Sequence, residues 1–489
     1  MELCALRCEG NAGGWPRPSP TLLNRSAIIR FLASKSLSFM LLGVPVLKRV
    51  LTSLAVLVTA SVTIVACSGY KSSSNSNSTH RTSGLKFRAF VSNPLFPSGG
   101  FNAPVINIVD ASKDVLAPSL VSLVANSPQP GLMALSSDLK FTGIFSPVGN
   151  SVTIIDNNTE SVAGIAGTTA TLPSITLPGL TESMFFSNDH NTLYAAVPSA
   201  PTNESSPGAV EVLNLQTGAI SASLPVPGAH FIVPSPDGNS ILVFSDNSDN
   251  VTVIATVLIG THSDPRSTVT GFDRPVWGVF NGSSSAFVLN CGPQCGGKTA
   301  GVSILDIGSS TSMGTVTVSA ATYGMLNGTT LYVAGTPPPN PPGTNTCTGT
   351  KTAATTCGRL TILDAGSLTV TGSAIITDGR HSRMQISQDG QLYIGAHGCK
   401  SINIPRGEVR GCLSVFNTST AAVTIPPQVG DVTGLQPIAG RNIMYVVQNG
   451  SLSIFDTTTN QLQVSPTNSK NNKGQVDIVG QPFDVKLVD

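Results

Sequence analysis

The sequence predicts an all-β fold, and three observations support this prediction. The chain of 489 residues contains 48 glycines and 34 prolines, which favour turns over the interiors of helices. Short apolar runs rich in valine, isoleucine and leucine recur along the chain, with turn-forming residues between them. Beyond the N-terminal region, no long stretch shows the 3.6-residue apolar period of an amphipathic helix.

The composition also argues against a nucleic-acid-binding function. Apolar residues make up 40% of the chain, enough for a sizeable core, whereas charged residues make up only 11% and the net charge is +1. Nucleic-acid binding requires clustered lysines and arginines that displace counterions from phosphate. We therefore expect no nucleic-acid partner.

An export signal is predicted over residues 40–66. Lys48 and Arg49 precede the apolar run VLTSLAVLVTASVTIVA, and Cys67 follows it; a basic start, an apolar centre and small residues at the end are the parts of such a signal. The IVAC sequence of residues 64–67 resembles the lipobox of bacterial lipoproteins. This resemblance implies that Cys67 carries lipid and becomes the mature N-terminus. The alternative is a membrane-spanning segment that ends at an incidental cysteine.

The residues on either side of the signal are not expected to fold. Residues 1–39 have no apolar period, and we interpret them as a gene-model extension, with translation starting at Met40 or later. Residues 67–84 are rich in serine and asparagine, a composition typical of a flexible tether. The serine at position 68 implies, through the lipoprotein resemblance, an outer-membrane location in the bacterial cell envelope. The side of that membrane is left open.

Residues 85–489 repeat themselves at a period of roughly forty to sixty residues, which is the range of propeller blades. The clearest unit begins at His230, HFIVPSPDGNSILVFSDNSDNVTVIA. It contains an apolar strand, an Asp237-Gly238 turn that tolerates positive φ, a second strand, a polar loop and a third strand. The repeat therefore predicts a single β-propeller of four-stranded blades.

The repeat resembles the YVTN-type β-propeller repeats, which are related in shape to NHL and WD40 propellers. The SPDG sequence of residues 235–238, LYVAG of residues 331–335 and LTILD of residues 360–364 carry this resemblance. Eight pairs of second and third strands predict eight blades, with seven as the alternative if one weak unit is a decoration. The last segment, PFDVKLVD, has no pair of its own, so we place it in the first blade, where it closes the ring.

Acidic or amide residues end most of the predicted third strands, and we interpret them as turn caps. A short carboxylate or carboxamide can accept a bond from the backbone N–H two residues on, and a catalytic acid would not recur in every repeat. Blade 4 departs from the pattern with Ala255. The cap residues are Asp110, Asp156, Asn214, Asp306, Asp364, Asn417 and Asp456.

The second-to-third loops of blades 5, 6 and 7 are long, and each contains two cysteines. Paired cysteines in an exported chain predict disulfides, and pairing within each loop is the simplest connectivity. A metal site formed by cysteines with His397 is the less favoured alternative, since thiolates outside the cytoplasm tend to be oxidised. We thus expect no metal and no cofactor. The cysteines are Cys291, Cys295, Cys347, Cys357, Cys399 and Cys412.

The second-to-third loops and the links between blades share one face of a propeller, here called the loop-rich face. Its links bring cationic and aromatic side chains towards the central channel, and these predict a mouth that favours an anionic or sugar-like ligand. The alternative, which we favour, is that each arginine is solvated or bonds a neighbouring blade and that His230 and His381 cap backbone groups. The candidate ligand-binding residues are His230, Arg274, Trp277, Tyr323, Arg380, His381 and Arg383.

We expect a lipid-anchored, monomeric, non-enzymatic binding or scaffold protein whose partner is a cell-envelope protein or glycan. The sequence has no nucleophile motif, no phosphate-binding glycine loop and no haem CxxCH. The alternative is a propeller enzyme of the sugar-lactonase or amine-dehydrogenase-like type, because related-looking propellers include such enzymes. Such an enzyme requires acid, base or metal-ligating groups that converge at the channel mouth.

Overall fold

A computed structural model of the chain describes residues 81–94, 105–123, 127–165, 167–338, 358–399, 411–463 and 474–489. These residues form eight antiparallel sheets, each built on four hydrogen-bonded strands in a row. The predicted all-β fold and the count of eight blades are confirmed. The predicted export signal, most of the tether and Cys67 lie outside the described residues.

Each blade is built from strands that follow one another along the chain. In blade 2, β7 (Ser161–Val162) and β8 (Ile175–Thr176) both pair with β6 (Ser151–Asp156). Blades 1 to 4 contain β1 (Arg88–Ser92), β2 (Val105–Asp110) and β3 (Val115–Ser122); β4 (Met133–Leu135), β5 (Phe141–Ser146), β6 (Ser151–Asp156), β7 (Ser161–Val162) and β8 (Ile175–Thr176); β9 (Ser183–Phe186), β10 (Thr192–Val197), β11 (Ala209–Asn214) and β12 (Ala219–Pro225); and β13 (Ala229–Pro234), β14 (Ser240–Ser245), β15 (Val251–Ala255) and β16 (Arg266–Val269).

The second half of the ring repeats this plan. In blade 8, β32 (Gln461–Leu462) and β33 (Gln475–Val476) both pair with β31 (Ser451–Asp456). Blades 5 to 8 contain β17 (Pro275–Phe280), β18 (Ser285–Asn290), β19 (Gly301–Asp306) and β20 (Thr311–Thr317); β21 (Tyr323–Asn327), β22 (Thr330–Gly335), β23 (Gly358–Asp364) and β24 (Thr369–Ile376); β25 (Arg380–Ile386), β26 (Gln391–His397), β27 (Leu413–Asn417) and β28 (Val423–Thr424); and β29 (Val432–Ile438), β30 (Ile443–Gln448), β31 (Ser451–Asp456), β32 (Gln461–Leu462) and β33 (Gln475–Val476).

The last strand, β34 (Asp484–Leu487), completes blade 1. It pairs antiparallel with β1, with Leu487 opposite Ala89 and Asp484 opposite Ser92. The innermost strands then contact one another in sequence around the ring, from β34 through β4, β9, β13, β17, β21, β25 and β29 back to β34. The predicted closure by the C-terminal strand is therefore confirmed.

Apolar side chains fill the spaces between neighbouring blades. Because side chains alternate between the two faces of a strand, Ile241 and Val243 of β14 pack towards blade 3, whereas Leu242 and Phe244 pack towards blade 5. This explains why the second and third strands are apolar at consecutive positions. In the described residues one such cluster lies between every pair of neighbouring blades, including blades 8 and 1.

The two faces of the propeller differ in their connections. The face that carries the first-to-second and third-to-fourth turns, here called the turn face, has mostly short turns, such as residues 235–240 in blade 4. Two short 3₁₀ helices interrupt the described residues, at Thr256–Leu258 on the turn face and at Gly292–Cys295 on the loop-rich face. None of the helices in the described ranges is long and apolar enough to cross a bilayer.

The seven predicted cap residues accept backbone hydrogen bonds as expected. Five of them bond the N–H two residues on, as Asp156 does with Asn158 at 2.8 Å, whereas Asp306 and Asp364 bond the N–H three residues on at 2.7 Å. A second recurring turn has a serine that bonds the aspartate two residues on. It occurs in blades 2, 3, 4 and 7, at Ser136, Ser187, Ser235 and Ser387.

The chain enters the propeller on the turn face. Arg81 forms an ion pair with Asp489 at 2.7 Å, and the backbone N–H of Ser83 donates to Glu160 at 2.6 Å. These residues were assigned to the tether from composition. They are held against blades 1 and 2, so residues 81–84 pack on the propeller body.

Candidate functional site

His230 lies at the centre of a charged cluster on the loop-rich face. It belongs to β13 of blade 4, and its imidazole is held from both sides. Nδ1 donates to Asp246 Oδ1 at 2.7 Å, and Nε2 donates to Glu182 Oε2 at 3.1 Å. Glu182 precedes the innermost strand of blade 3, and Asp246 follows the second strand of blade 4. The cluster thus joins two blades at the channel mouth.

This arrangement fixes the charges of the cluster. Burial alone would lower the pKa of His230, but the hydrogen bonds to Asp246 and Glu182 raise it to about 9. The hydrogen bond from His230 is also the main reason why the pKa of Glu182 falls to about 2. At neutral pH, the cluster therefore holds an imidazolium between two carboxylates.

An aromatic row continues from His230 across blades 4 to 6. The imidazole stacks on the Phe231 ring with centroids 4.2 Å apart and planes 9° apart. Trp277 lies edge-on to Phe231 at 5.9 Å and packs at 4.5 Å on Tyr323. The Trp277 indole also donates to the carbonyl of Gly324 at 3.2 Å. These half-buried rings line one side of the mouth.

Two arginines of blade 7 reach this row. Arg380 is exposed, and its guanidinium carbon lies 5.8 Å from the centroid of Phe231, within reach of a cation–π contact. Arg383 donates through Nε to the carbonyl of Thr433 at 3.1 Å and through Nη1 to the carbonyl of Ser382 at 2.9 Å. Arg380 therefore belongs to the mouth cluster, and Arg383 also ties blade 7 to blade 8.

The side chains of the two remaining candidates, His381 and Arg274, make bonds within the propeller itself. His381 is 2% exposed. Its Nε2 donates to the carbonyl of Thr377 at 3.0 Å, while burial lowers its pKa to about 4. Arg274 pairs with Asp249 at 3.7 Å and donates through Nη1 to the carbonyl of Asn247. Both follow the predicted alternative in which the side chain bonds backbone or a neighbouring blade.

Two disulfides hold loops on this face. Cys291 bonds Cys295, and Cys399 bonds Cys412, so local pairing is confirmed for these loops. Their thiols are not available as the metal ligands considered beside His397. Cys347 and Cys357 lie outside the described residues, as do Cys4, Cys8 and Cys67. Within the described ranges, no three His, Cys, Asp or Glu side chains come together as a metal site.

The Cys291–Cys295 disulfide positions a bridging glutamine. Gln294 lies in the 3₁₀ turn between the two cysteines, and its side-chain oxygen accepts from the Thr336 N–H of blade 6 at 2.9 Å. The Thr336 hydroxyl donates at 2.7 Å to the carbonyl of Gly379, which Gln294 Nε2 also reaches at 3.5 Å. Blades 5, 6 and 7 are thus connected across the loop-rich face next to Arg380.

A groove lies beside the charged cluster, between the loops of blades 3 and 4. It encloses about 790 Å³ and shares Asp246 with the cluster. We refer to it as the blade 3–4 groove. Its lining residues are Pro198, Ser206, Pro207, Pro227, Gly228, Asp246, Asn247, Ser248, Asp249 and Asn250.

Sequence reasoning missed Glu182, Phe231, Asp246 and the groove. The carboxylates stand in ordinary link and loop positions, and only the ring geometry brings them to His230. A usable signal was present in the DNSDN loop of residues 246–250, which concentrates carboxylates and carboxamides in one of the shorter loops.

The fold and this face define an eight-bladed β-propeller with a structured loop-rich face. No known protein family model matches the sequence, and no curated protein matches it significantly. Similar solved structures include the dihydro-heme d1 dehydrogenase NirN in complex with DHE, with a TM-score of 0.56, 11% identity and coverage of 84% of this chain and 79% of that chain.

Two further structures are similar over much of their length. Hydrazine synthase of Kuenenia stuttgartiensis gives a TM-score of 0.49 at 15% identity, covering 68% of this chain and 97% of that chain. A functionally unknown protein from Desulfotomaculum acetoxidans gives 0.48 at 16% identity, covering 76% and 98%. At 11% identity, the similarity to NirN supports the fold alone.

Proposed function

We propose that the chain is a lipid-anchored, extracytoplasmic binding protein that presents its loop-rich face to a cell-envelope protein or glycan. The disulfides at Cys291–Cys295 and Cys399–Cys412 indicate an oxidising compartment outside the cytoplasm. The lipid at Cys67, the outer membrane and the YVTN relationship belong to the proposal, and the sequence motifs support them.

The observation that carries the proposal is the fixed geometry of the loop-rich face. Within the described residues, the Cys291–Cys295 disulfide, the Gln294 bridge and the ion pairs of His230 hold loop and link residues in place. A surface that is ordered before binding loses less conformational entropy when a partner arrives. The turn face, in contrast, consists mostly of short turns.

The point of chain entry supports the same orientation. Arg81 and Ser83 contact the propeller on the turn face, which lies opposite the loop-rich face. We propose that the lipid anchor upstream of Arg81 connects to the propeller on the turn face, which leaves the loop-rich face available for a partner.

Binding is placed ahead of the enzyme alternative because of the charge on His230. With a pKa of about 9, its imidazole is protonated at neutral pH and does not accept a proton as a general base. Both of its nitrogens are also engaged with carboxylates. The geometry therefore describes a fixed cation better than a proton-transfer group.

Site-specific photo-crosslinking in cells tests which face binds. A photoreactive residue replaces Lys298 on the loop-rich face of blade 5, and the matched control replaces Asn281 on the turn face of the same blade; both positions are exposed. We expect a discrete crosslinked partner from position 298 and none from position 281. Equal crosslinking from both positions, or crosslinking from 281 alone, would contradict the proposal.

The anchor is tested separately by metabolic labelling with a fatty-acid probe and detergent phase partition. We expect label on the wild type and its loss in Cys67→Ala. The control, Cys291→Ala combined with Cys295→Ala, should keep the label, since those thiols are joined in a disulfide. Label that persists in Cys67→Ala would show that the lipid is not attached at this position.

A further inference from the structure

We propose that the blade 3–4 groove binds a neutral saccharide. This inference rests on the proposed function, since the groove lies on the loop-rich face, and it names the ligand class. The groove is open to solvent and has a volume of about 790 Å³, within the range of roughly 300–1,000 Å³ typical of small-molecule sites. That space suits a short segment of an oligosaccharide chain.

The lining of the groove has two chemical sides. Pro198, Pro207 and Pro227 supply rigid apolar ring surfaces, against which the C–H faces of a sugar ring can pack. The loop of residues 246–250 supplies carboxylate, carboxamide and hydroxyl groups. The carboxamides and the hydroxyl both donate and accept hydrogen bonds, and the carboxylates accept them, which matches the hydroxyls of a saccharide.

The polar side includes groups left available for a ligand. The side-chain amides of Asn247 and Asn250 make no hydrogen bond to another described residue, and both residues are exposed. Ser206 also lines the groove, next to Pro207 in the chain, and among the described residues only its backbone carbonyl is engaged, by the Thr202 hydroxyl at 3.1 Å. Hydroxyl recognition at these three positions requires no internal bond to be broken.

The charges around the groove disfavour both anionic and cationic ligands. No lysine or arginine lines the groove, so an anionic ligand has no cation to pair with there. Asp246 is bonded to the His230 imidazolium, and Asp249 accepts from the Arg274 N–H at 3.1 Å and pairs with its side chain. Because Asp246 and Asp249 are each already engaged by a cation of the protein, a cationic ligand would have to compete with His230 and Arg274 for them, and a neutral polar ligand is favoured.

The floor of the groove is held by backbone hydrogen bonds. The N–H of Gly228 donates to Pro207 at 2.9 Å, and the N–H of Asp246 donates to Gly228 at 2.9 Å. Val226 donates in the same way to Gly208, which has a φ of +126° and lies so close to Gly228 that a Cβ would be 2.3 Å from its nitrogen. A glycine is therefore required there, and the two blades hold a preformed site.

The test uses the purified protein, a glycan array with neutral and anionic members, and titration calorimetry with the best neutral oligosaccharide. Ser206→Trp fills the groove, and Asn250→Ala removes one carboxamide. Asn281→Ala is the matched control on the turn face. We expect neutral glycans to bind, a loss of affinity of about tenfold or more in each groove variant, and no change in the control. Unchanged thermal unfolding shows that the variants fold.

Three outcomes would overturn the inference. They are an array without neutral binders, selective binding of anionic glycans, and neutral binding that both groove variants retain. Crosslinking from position 298 distinguishes this failure from failure of the proposed function. If that crosslink persists while saccharide binding is absent, the loop-rich face still binds a partner and only the ligand class is wrong.

Discussion

At the scale of single residues, two histidines of innermost strands have opposite charge states for visible physical reasons. His230 in blade 4 is bonded to two carboxylates, which raise its pKa to about 9. His381 in blade 7 is enclosed by protein with one backbone carbonyl as partner, and burial lowers its pKa to about 4. His230 therefore contributes a cation to the mouth, whereas His381 is a neutral part of the core.

The first prediction concerns the pH dependence that His230 causes. The pKa in the folded state, about 9, lies above the ordinary value of about 6.5. Its stabilising effect is thus complete below pH 6.5 and is lost as the pH rises through 9. We expect His230→Gln to lower the free energy of unfolding by about 1–2 kcal/mol at pH 6, after solvent screening at the half-exposed carboxylates, and much less at pH 10.

Chemical denaturation across this pH range measures the effect. The control is His262→Gln, a change at an exposed histidine of blade 4, which should not alter the profile. A difference between wild type and His230→Gln that stays constant from pH 6 to 10 would show that the ion pairs do not set the stability.

A second residue-scale feature is a repeated polar position in the third strand of each blade. For example, it is Thr153 in blade 2, Ser303 in blade 5 and Ser414 in blade 7. These side chains are almost fully buried. Blade 3 has Glu211 there, 2% exposed, with a single hydrogen bond, from Ser223 at 3.0 Å. Burial raises the pKa of Glu211, because a carboxylate is poorly solvated inside the blade.

We predict that Glu211→Gln stabilises the protein at neutral pH. A raised carboxyl pKa means that the folded state loses stability as the pH rises above the ordinary value for glutamate, and glutamine has a similar shape without the charge. The gain in unfolding temperature over wild type should grow from pH 4 to pH 8. Glu204→Gln, at a surface ion pair, is the control. A gain that shrinks with rising pH would contradict this account.

At the scale of elements, disulfides close two of the second-to-third loops of the loop-rich face. The Cys291–Cys295 disulfide spans 4 residues and the Cys399–Cys412 disulfide spans 13. A disulfide that closes a longer loop removes more entropy from the unfolded chain. The Cys399–Cys412 disulfide should therefore contribute more to the stability of the fold, whereas the shorter Cys291–Cys295 disulfide positions Gln294.

The third prediction follows from these loop lengths. Replacing Cys399 and Cys412 by alanine should lower the free energy of unfolding by about 3 kcal/mol, and replacing Cys291 and Cys295 by about 2 kcal/mol, in the chain-entropy model. Urea denaturation of both double variants provides the measurement. If the shorter disulfide proves to contribute more, the Gln294 bridge and its contacts to blades 6 and 7 dominate over chain entropy.

At the scale of the whole molecule, polar networks on the turn face join blade 1 to both of its neighbours. Arg88, which is 0% exposed, pairs with Glu160 of blade 2 at 2.7 Å and bonds both carboxylate oxygens of Asp489 at 2.8 Å. On the other side, Asp114 accepts from Arg441 at 2.6 Å and from the Tyr445 hydroxyl at 2.6 Å. Blade 1, which combines the first described strand with the C-terminal strand, is therefore secured by charge as well as by strand pairing.

Repetition made the ring predictable from sequence, whereas the site depends on contacts between distant residues. Eight strand pairs and an unpaired C-terminal segment were sufficient to predict the blade number and the closure. The cluster of Glu182, His230 and Asp246 was not, since nothing in the sequence marks which link residue meets which loop across a blade boundary. Arg88 was missed for the same reason, because its partner Asp489 lies 401 positions away.

The last prediction tests the closure. Asp489→Ala leaves the buried Arg88 guanidinium with Glu160 and backbone as its remaining partners. We expect a loss of about 3 kcal/mol in the free energy of unfolding, the low end of the cost of breaking a buried ion pair, together with faster proteolysis of β34. The control is Asp477→Ala, at an exposed position just outside β33. If Asp489→Ala unfolds at the same urea concentration as this control, strand pairing alone closes the ring and the ion pairs are incidental.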